Sequence, residues 1–376
     1  MKTLFLLSLF LFATNSFAQN KRARDFGITI GVLSPGKLNT ITDVPGVKVA
    51  HSTLVKGDSV RTGVTAILPH DGNIFQQKVP AAIYVGNGFG KLAGITQVQE
   101  LGNIETPIIL TNTLSVATAI DAVNYYTLKQ KGNENVRSVN AVVGETNDGW
   151  ILNDIRGKHV QQQHILNAIT QAASGTVAEG NIGAGTGTIA FGYKGGIGTS
   201  SRKVPDEMGG YTIGVLVQTN FGGVLQIDGV PVGEELKKFY LQESVNKKDD
   251  GSCMIVVATD APLDSRNLER LAKRAFMGLA KTGGIAHNGS GDYVIAFSTD
   301  PSLRISHDES SPKQTVSLLT NDAVSPLFMA AIEATEEAII NSLFAARTTT
   351  ANGKTVEGLP IEKVIGILKK YNRVKN

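Results

Sequence analysis

An α/β layered fold, with sheets packed together and helices outside, is what this sequence predicts. Three observations point to it. Short β-branched runs alternate with longer segments whose apolar residues recur at helical spacing. The 41 glycines cluster at turns rather than in a repeat, which fits many tight reversals and not collagen or disorder. Hydrophobic residues make up 41% of 376, enough for an ample core in one large domain or two smaller ones.

Residues 1–18 start with Lys2, run through an apolar stretch at 4–13 and end in Ser16-Phe17-Ala18, a small-x-small cleavage pattern. The stretch is too short to span a bilayer. The expectation is a secretory signal peptide, a mature chain from about Gln19 with no membrane attachment, and a periplasmic or secreted location. Residues 20–26 are basic and read as an extended arm. Residues 40–49 read as a turn feeding a strand. Strands are expected over 63–68, 81–85, 106–110, 139–144, 211–218, 253–259 and 293–297. Helices are expected over 92–101, 115–129, 159–173, 236–244, 265–282, 325–346 and 360–371. Thr111-Asn112-Thr113 can cap the second of these, and Asp264-Ser265 looks like the start of the fifth. Residues 183–201 resemble a glycine-rich hairpin, and 219–223 a polar turn.

Charge and residue counts exclude several function classes. Lys and Arg total 36 against 33 acids, a net +3 with no extended basic patch, so nucleic acid is not expected as a partner. Cys253 is the only cysteine, which rules out an intrachain disulfide and a cysteine-rich metal site. The six histidines form no His-Glu-x-x-His pair, and no metal or cofactor is expected. The glycines at 86–90 lack the lysine and spacing of a phosphate loop. Asn288-Gly289-Ser290-Gly291 lacks the spacing of a Gly-x-Ser-x-Gly elbow.

The chain is organised around residues 246–259. A charged run stops at Gly251-Ser252 and a β-rich apolar run begins at once. Scission of the Gly251–Ser252 bond would make Ser252 an N-terminus at the head of a buried strand. It would then carry a hydroxyl and a free α-amine on adjacent carbons, a nucleophile with its own base. Such an amine has a pKa of about 7.7–8.0, so it can take the hydroxyl proton without histidine. Ser290 and Asp292 could orient that amine, and Asn220 with backbone N–H groups could stabilise an oxyanion. The alternative is a loop-to-strand junction with a small polar residue. A second cluster, Glu145-Thr146-Asn147-Asp148-Gly149-Trp150, collects two carboxylates, an amide and the only tryptophan at a strand end. It is either part of a site or a turn with an aromatic lid on the core.

Several segments, in order, resemble the L-aminopeptidase D-amidase/D-esterase family, which includes the β-peptidyl aminopeptidases. They are Thr42-Asp43-Val44-Pro45-Gly46-Val47-Lys48-Val49-Ala50-His51, Glu105-Thr106-Pro107-Ile108 with Leu110-Thr111-Asn112-Thr113, Val142-Val143-Gly144-Glu145-Thr146 with Asn147-Asp148-Gly149, and Gly183-Ala184-Gly185-Thr186-Gly187. The Gly251-Ser252 junction and Gly289-Ser290-Gly291-Asp292-Tyr293 complete the set.

The resemblance implies an αββα sandwich related to the ornithine acetyltransferase fold. It implies one catalytic domain, 19–376, that cuts itself into a 19–251 large chain and a 252–376 small chain. Processed pairs would assemble into homotetramers. Ser252 would be the nucleophile for the cut and for turnover, with Ser290 and Asp292 supporting the amine and Asn220 on the oxyanion. Glu145 would hold the substrate's own amine, with Asn147 and Trp150 nearby. Two departures stand out: some members carry Glu in place of Asp292, and some carry Tyr near Asn147. The expected activity is release of N-terminal residues from peptides, aminoacyl amides or esters through an acyl-enzyme. A non-catalytic exported binding protein of the same fold and an acyl-amine transferase are the alternatives.

Overall fold

The computed structural model describes residues 21–242, 251–308 and 312–374. The expected signal peptide and the charged run 246–250 lie outside the described residues. Two mixed sheets form the centre. One has five strands in the order Lys48–Lys56, Val60–Leu68, Ile108–Asn112, Val142–Thr146, Leu92–Ala93. The other has seven. Its main path runs Ile197–Lys203, Thr212–Asn220, Gly251–Thr259, Ser290–Ser298, Gln77–Gly88, Ile305–Ser306, and Asn103–Ile104 pairs off Gln77–Gly88.

The layering can be read along single strands, because successive side chains point to opposite faces. On Gly251–Thr259, Met254, Val256 and Ala258 join Ile67, Ile108, Leu110, Val142 and Ile295 in an apolar layer between the sheets. Cys253, Ile255 and Val257 instead face helices Ser265–Lys281 and Ser325–Ala345. Across the five-stranded sheet, Val64, Ala66, Ile109 and Val143 face helices Val116–Leu128 and Gln162–Thr170. Helix, sheet, sheet, helix is the result, and it agrees with the expected αββα sandwich.

The two helices on the seven-stranded sheet differ in kind. Ser265–Lys281 is amphipathic: Leu268, Leu271, Ala272, Ala275 and Leu279 are buried, and Asp264 Oδ1 caps it by accepting from Asn267 N at 2.9 Å. Ser325–Ala345 is buried all round from Glu333 onward, Glu336 and Glu337 included. A buried carboxylate needs a partner. Arg202, fully buried on the sheet edge, donates to Glu337 Oε2 at 2.7 Å and to Glu333 Oε2 at 3.1 Å, while Arg24 reaches Glu337 Oε1 at 2.7 Å.

That network corrects one expectation. Of the expected arm at 20–26, the described residues 21–26 are not extended: Ala23–Phe26 is a 3-10 turn, Ala23 and Arg22 are buried, and Arg22 Nε pairs with Glu179 at 2.8 Å. Partners 157 to 313 residues away in sequence hold it there. Other boundaries shift. The strand expected at 253 begins at Gly251, and the strand expected to end at 218 runs to Asn220. The helix expected over 236–244 is absent from its described residues, 236–242; a single helical turn, Val232–Glu235, precedes them. The Thr- and Gly-rich loop after residue 346 contains a small hairpin, Thr349–Ala351 with Lys354–Val356. Among the described residues no helix is long and apolar enough to cross a membrane.

Candidate active site

The site forms where three strands of the seven-stranded sheet meet. Gly251–Thr259 is flanked by Thr212–Asn220, antiparallel, and by Ser290–Ser298, parallel. The register makes Asn220 the partner of Ser252 on one side. On the other, Gly251 lies opposite Ser290, Ser252 opposite Gly291, and Cys253 opposite Asp292. The four residues expected to act together are therefore neighbours in one sheet, although they come from three separate stretches.

Side-chain alternation sorts them further. Ser290 and Asp292 share a face with Gly251 and Cys253, and the Ser252 side chain takes the opposite face. Ser252 is 4% exposed, and its hydroxyl donates to the carbonyl oxygen of Gly251. Burial raises the Asp292 carboxyl to about 6, and the nearby Ser290 hydroxyl and Cys253 N–H offset part of that rise. Neither group closes a well-aligned hydrogen bond. Both Asp292 oxygens and Ser290 Oγ are buried without a partner among the described residues. Unsatisfied buried oxygens of this kind are uncommon and point to a missing donor.

Asn220 is fixed by two contacts. Its Oδ1 accepts from Ile189 N at 2.9 Å, and its Nδ2 donates to the Asn147 carbonyl at 3.1 Å. A donor on one side and a carbonyl on the other define which way the amide points. One Nδ2 hydrogen is used by Asn147, and the amide has a second. Asn147 thus enters through its backbone. Its own side chain accepts from Gly149 N at 2.9 Å and shapes the turn.

Glu145 approaches from the other sheet. Its carboxylate is 3% exposed and accepts from Lys91 N at 3.0 Å and from the Thr113 hydroxyl. Burial raises its pKa, and these two donors partly offset the rise. Gly90 links it to strand Ser290–Ser298: a β-carbon on Gly90 would lie 3.3 Å from both Glu145 Oε1 and the Gly291 α-carbon. A side chain at that position would press on both, so its neighbours would have to give by a few tenths of an ångström.

A cleft of about 1000 Å³ opens beside these residues, lined by Asn147, Trp150, Phe191, Asn220 and Tyr240 among others. Trp150 is 59% exposed on its wall, so it is not a lid on the core. Ser252 does not line the cleft. Sequence reasoning missed three groups here. Lys194, wholly buried, donates to the carbonyls of Gly185 at 2.9 Å and Gly195 at 2.7 Å. Burial lowers its pKa while the Asp148 carboxylate opposes that. Thr113 holds Glu145, and His287 sits against Gly251. A buried lysine inside a glycine-rich hairpin was the one visible signal.

The model of peptidase family S58 matches residues 39–356. The chain belongs to peptidase family S58. It is 42% identical, over 97% of its own length and 96% of the relative's, to the β-peptidyl aminopeptidase BapA of Sphingosinicella microcystinivorans. The L-aminopeptidase D-Ala-esterase/amidase of Ochrobactrum anthropi, described as a variant of the Ntn hydrolase fold, superposes with a TM-score of 0.86 at 35% identity, covering 94% of this chain and 99% of that one. A Burkholderia β-aminopeptidase superposes with a TM-score of 0.85 at 40% identity, covering 93% and 99%. This S58 chain is thus a peptidase hydrolase of the aminopeptidase kind with an Ntn hydrolase fold, in the family that the sequence resembles. The non-catalytic alternative is set aside.

Proposed function

We propose that the chain is an exported, self-processing serine aminopeptidase or amidase whose nucleophile is Ser252. One observation carries this reading. Ser252 lies at the head of a buried strand, between Asn220 and the Ser290–Asp292 strand, beside a buried carboxyl and hydroxyl whose oxygens accept no hydrogen bond among the described residues. Scission before Ser252 creates the donor these groups lack, an α-ammonium or amine.

The proposed course has two stages. Ser252 Oγ first attacks the Gly251 carbonyl, splitting 19–251 from 252–376. The freed amine, held by Ser290 and Asp292, then serves as base for the same hydroxyl. In turnover, Ser252 Oγ takes the acyl group of a substrate, the leaving amine departs, and water releases the product. The second Asn220 hydrogen is proposed as an oxyanion donor, a role typically worth about 10²–10³ in rate. Glu145 is proposed to bind the substrate's amine, with Asn147 and Trp150 on the adjoining cleft. Peptides and aminoacyl amides or esters are the proposed substrates. The names of the relatives bring N-terminal β-residues into that class. A cleavable leader at 1–18, a periplasmic or secreted location and a homotetramer of processed pairs belong to the same proposal.

Intact-mass measurement of the purified protein tests it. Two fragments meeting at 251/252, and a single inactive chain for Ser252→Ala, are expected. An uncut wild-type chain that hydrolyses aminoacyl anilides would overturn the reading.

A further inference from the structure

On the self-processing reading, the first cut cannot use the base that later turnovers would use. The α-amine of Ser252 is an amide nitrogen until the bond breaks, so another group must carry the proton. His287 stands beside the junction. Its Nε2 lies 3.1 Å from the point a β-carbon on Gly251 would occupy, which sets the imidazole against the Gly251 α-carbon. Both ring nitrogens are buried, and neither has a hydrogen-bond partner among the described residues. A neutral imidazole has one N–H to give and one lone pair to receive.

The ring is also held in place. It stacks on Tyr240, with centroids 6.2 Å apart and planes 23° from parallel. The His287 carbonyl accepts from Ser290 N at 2.8 Å and from Asn87 Nδ2 at 3.0 Å. His287 therefore belongs to the turn that launches Ser290, so the ring and the junction are positioned together. Asp292 lies opposite Cys253, two register positions beyond the Gly251–Ser290 pair.

Resting on that reading, we propose that His287 is the proton carrier for the maturation cut at Gly251–Ser252. Ser252 Oγ adds to the Gly251 carbonyl carbon as its proton passes through one water to the imidazole, because the ring lies on Gly251's face of the strand and the hydroxyl on the other. The carbon–nitrogen bond then breaks as the imidazole returns the proton to the Ser252 nitrogen. This leaves an ester between Gly251 and Ser252 Oγ, and a free amine. Water opens the ester to a Gly251 carboxylate and a Ser252 hydroxyl. Histidine ends unchanged, and no further reactant is needed.

The test follows cleavage of freshly translated full-length chain on denaturing gels. His287→Ala should split roughly 100-fold more slowly than wild type, within the usual range for a general acid–base group. Added imidazole should restore several-fold of that loss, and His287→Gln, which cannot carry a proton, should stay slow. Wild-type speed in His287→Ala overturns the proposal. So does full speed in His287→Gln, which would reduce the residue to a spacer. A folded His287→Ala chain that stays slow and ignores imidazole also overturns it. A wild-type chain that never splits is a separate result, because it removes the self-processing reading itself.

Discussion

Asn220 and Ser252 are register partners, each at the end of its strand's pairing: Asn220 closes Thr212–Asn220, and Ser252 is the second residue of Gly251–Thr259. Because Ile189 N and the Asn147 carbonyl fix the amide of Asn220, its remaining hydrogen has a constant direction. Asn220→Ala should lower kcat by about 10²–10³ with little change in KM. Steady-state kinetics on an aminoacyl anilide measures this. A change confined to KM would assign Asn220 to substrate binding.

Glu145 carries a different expectation. If it holds the amine of a substrate, Glu145→Gln should raise KM at least tenfold for amine-bearing substrates, about 1.4 kcal/mol of lost binding. Maturation should continue at its normal rate, because Gly251 offers no free amine inside the uncut chain. Slow cleavage in Glu145→Gln would tie this residue to the junction as well.

Asp292 predicts a pH dependence for the uncut form, best read in Ser252→Ala. Its ordinary value is 3.8, and burial raises it to about 6 in the fold. Below about pH 4 both folded and unfolded chains hold the proton, and the contribution is complete. As pH rises toward about 6 the unfolded chain ionises first, so stability falls, by at most roughly 3 kcal/mol. Asp292→Asn in that background should raise Tm at pH 7.5 and leave it unchanged at pH 3.5. Equal gains at both values would mean that ionisation is not involved.

Arg202→Met should cost about 3–5 kcal/mol, because it leaves two buried carboxylates, Glu333 and Glu337, short of a cation. Urea unfolding of Ser252→Ala with and without the substitution measures it. Activity lost without any loss of stability would show that the network acts on the site instead.

The layered fold was legible because strand and helix periods differ and the β-branched runs are short. The head of a buried strand at Gly251-Ser252 was legible because polarity switches abruptly there. The flanking register was not. Thr219 and Asn220 look like turn residues, yet Thr219 Oγ1 bonds Ser342 Oγ at 2.9 Å and Asn220 is paired as described, so polar residues complete a strand whose partners are remote in sequence. Arg22 and Arg24 look like a solvated arm for the same reason, since the carboxylates that bury them are far along the chain. His287 carried no local signal, because its meaning depends on the residue that its ring covers.

The order of strands in the larger sheet has a last consequence. Gly251–Thr259 and Ser290–Ser298 lie side by side in its middle, with Thr212–Asn220 on one flank and Gln77–Gly88 on the other. A polypeptide severed ahead of Ser252 would therefore yield two pieces woven through each other. They should copurify through dilution and high salt, and come apart only when the whole molecule is denatured.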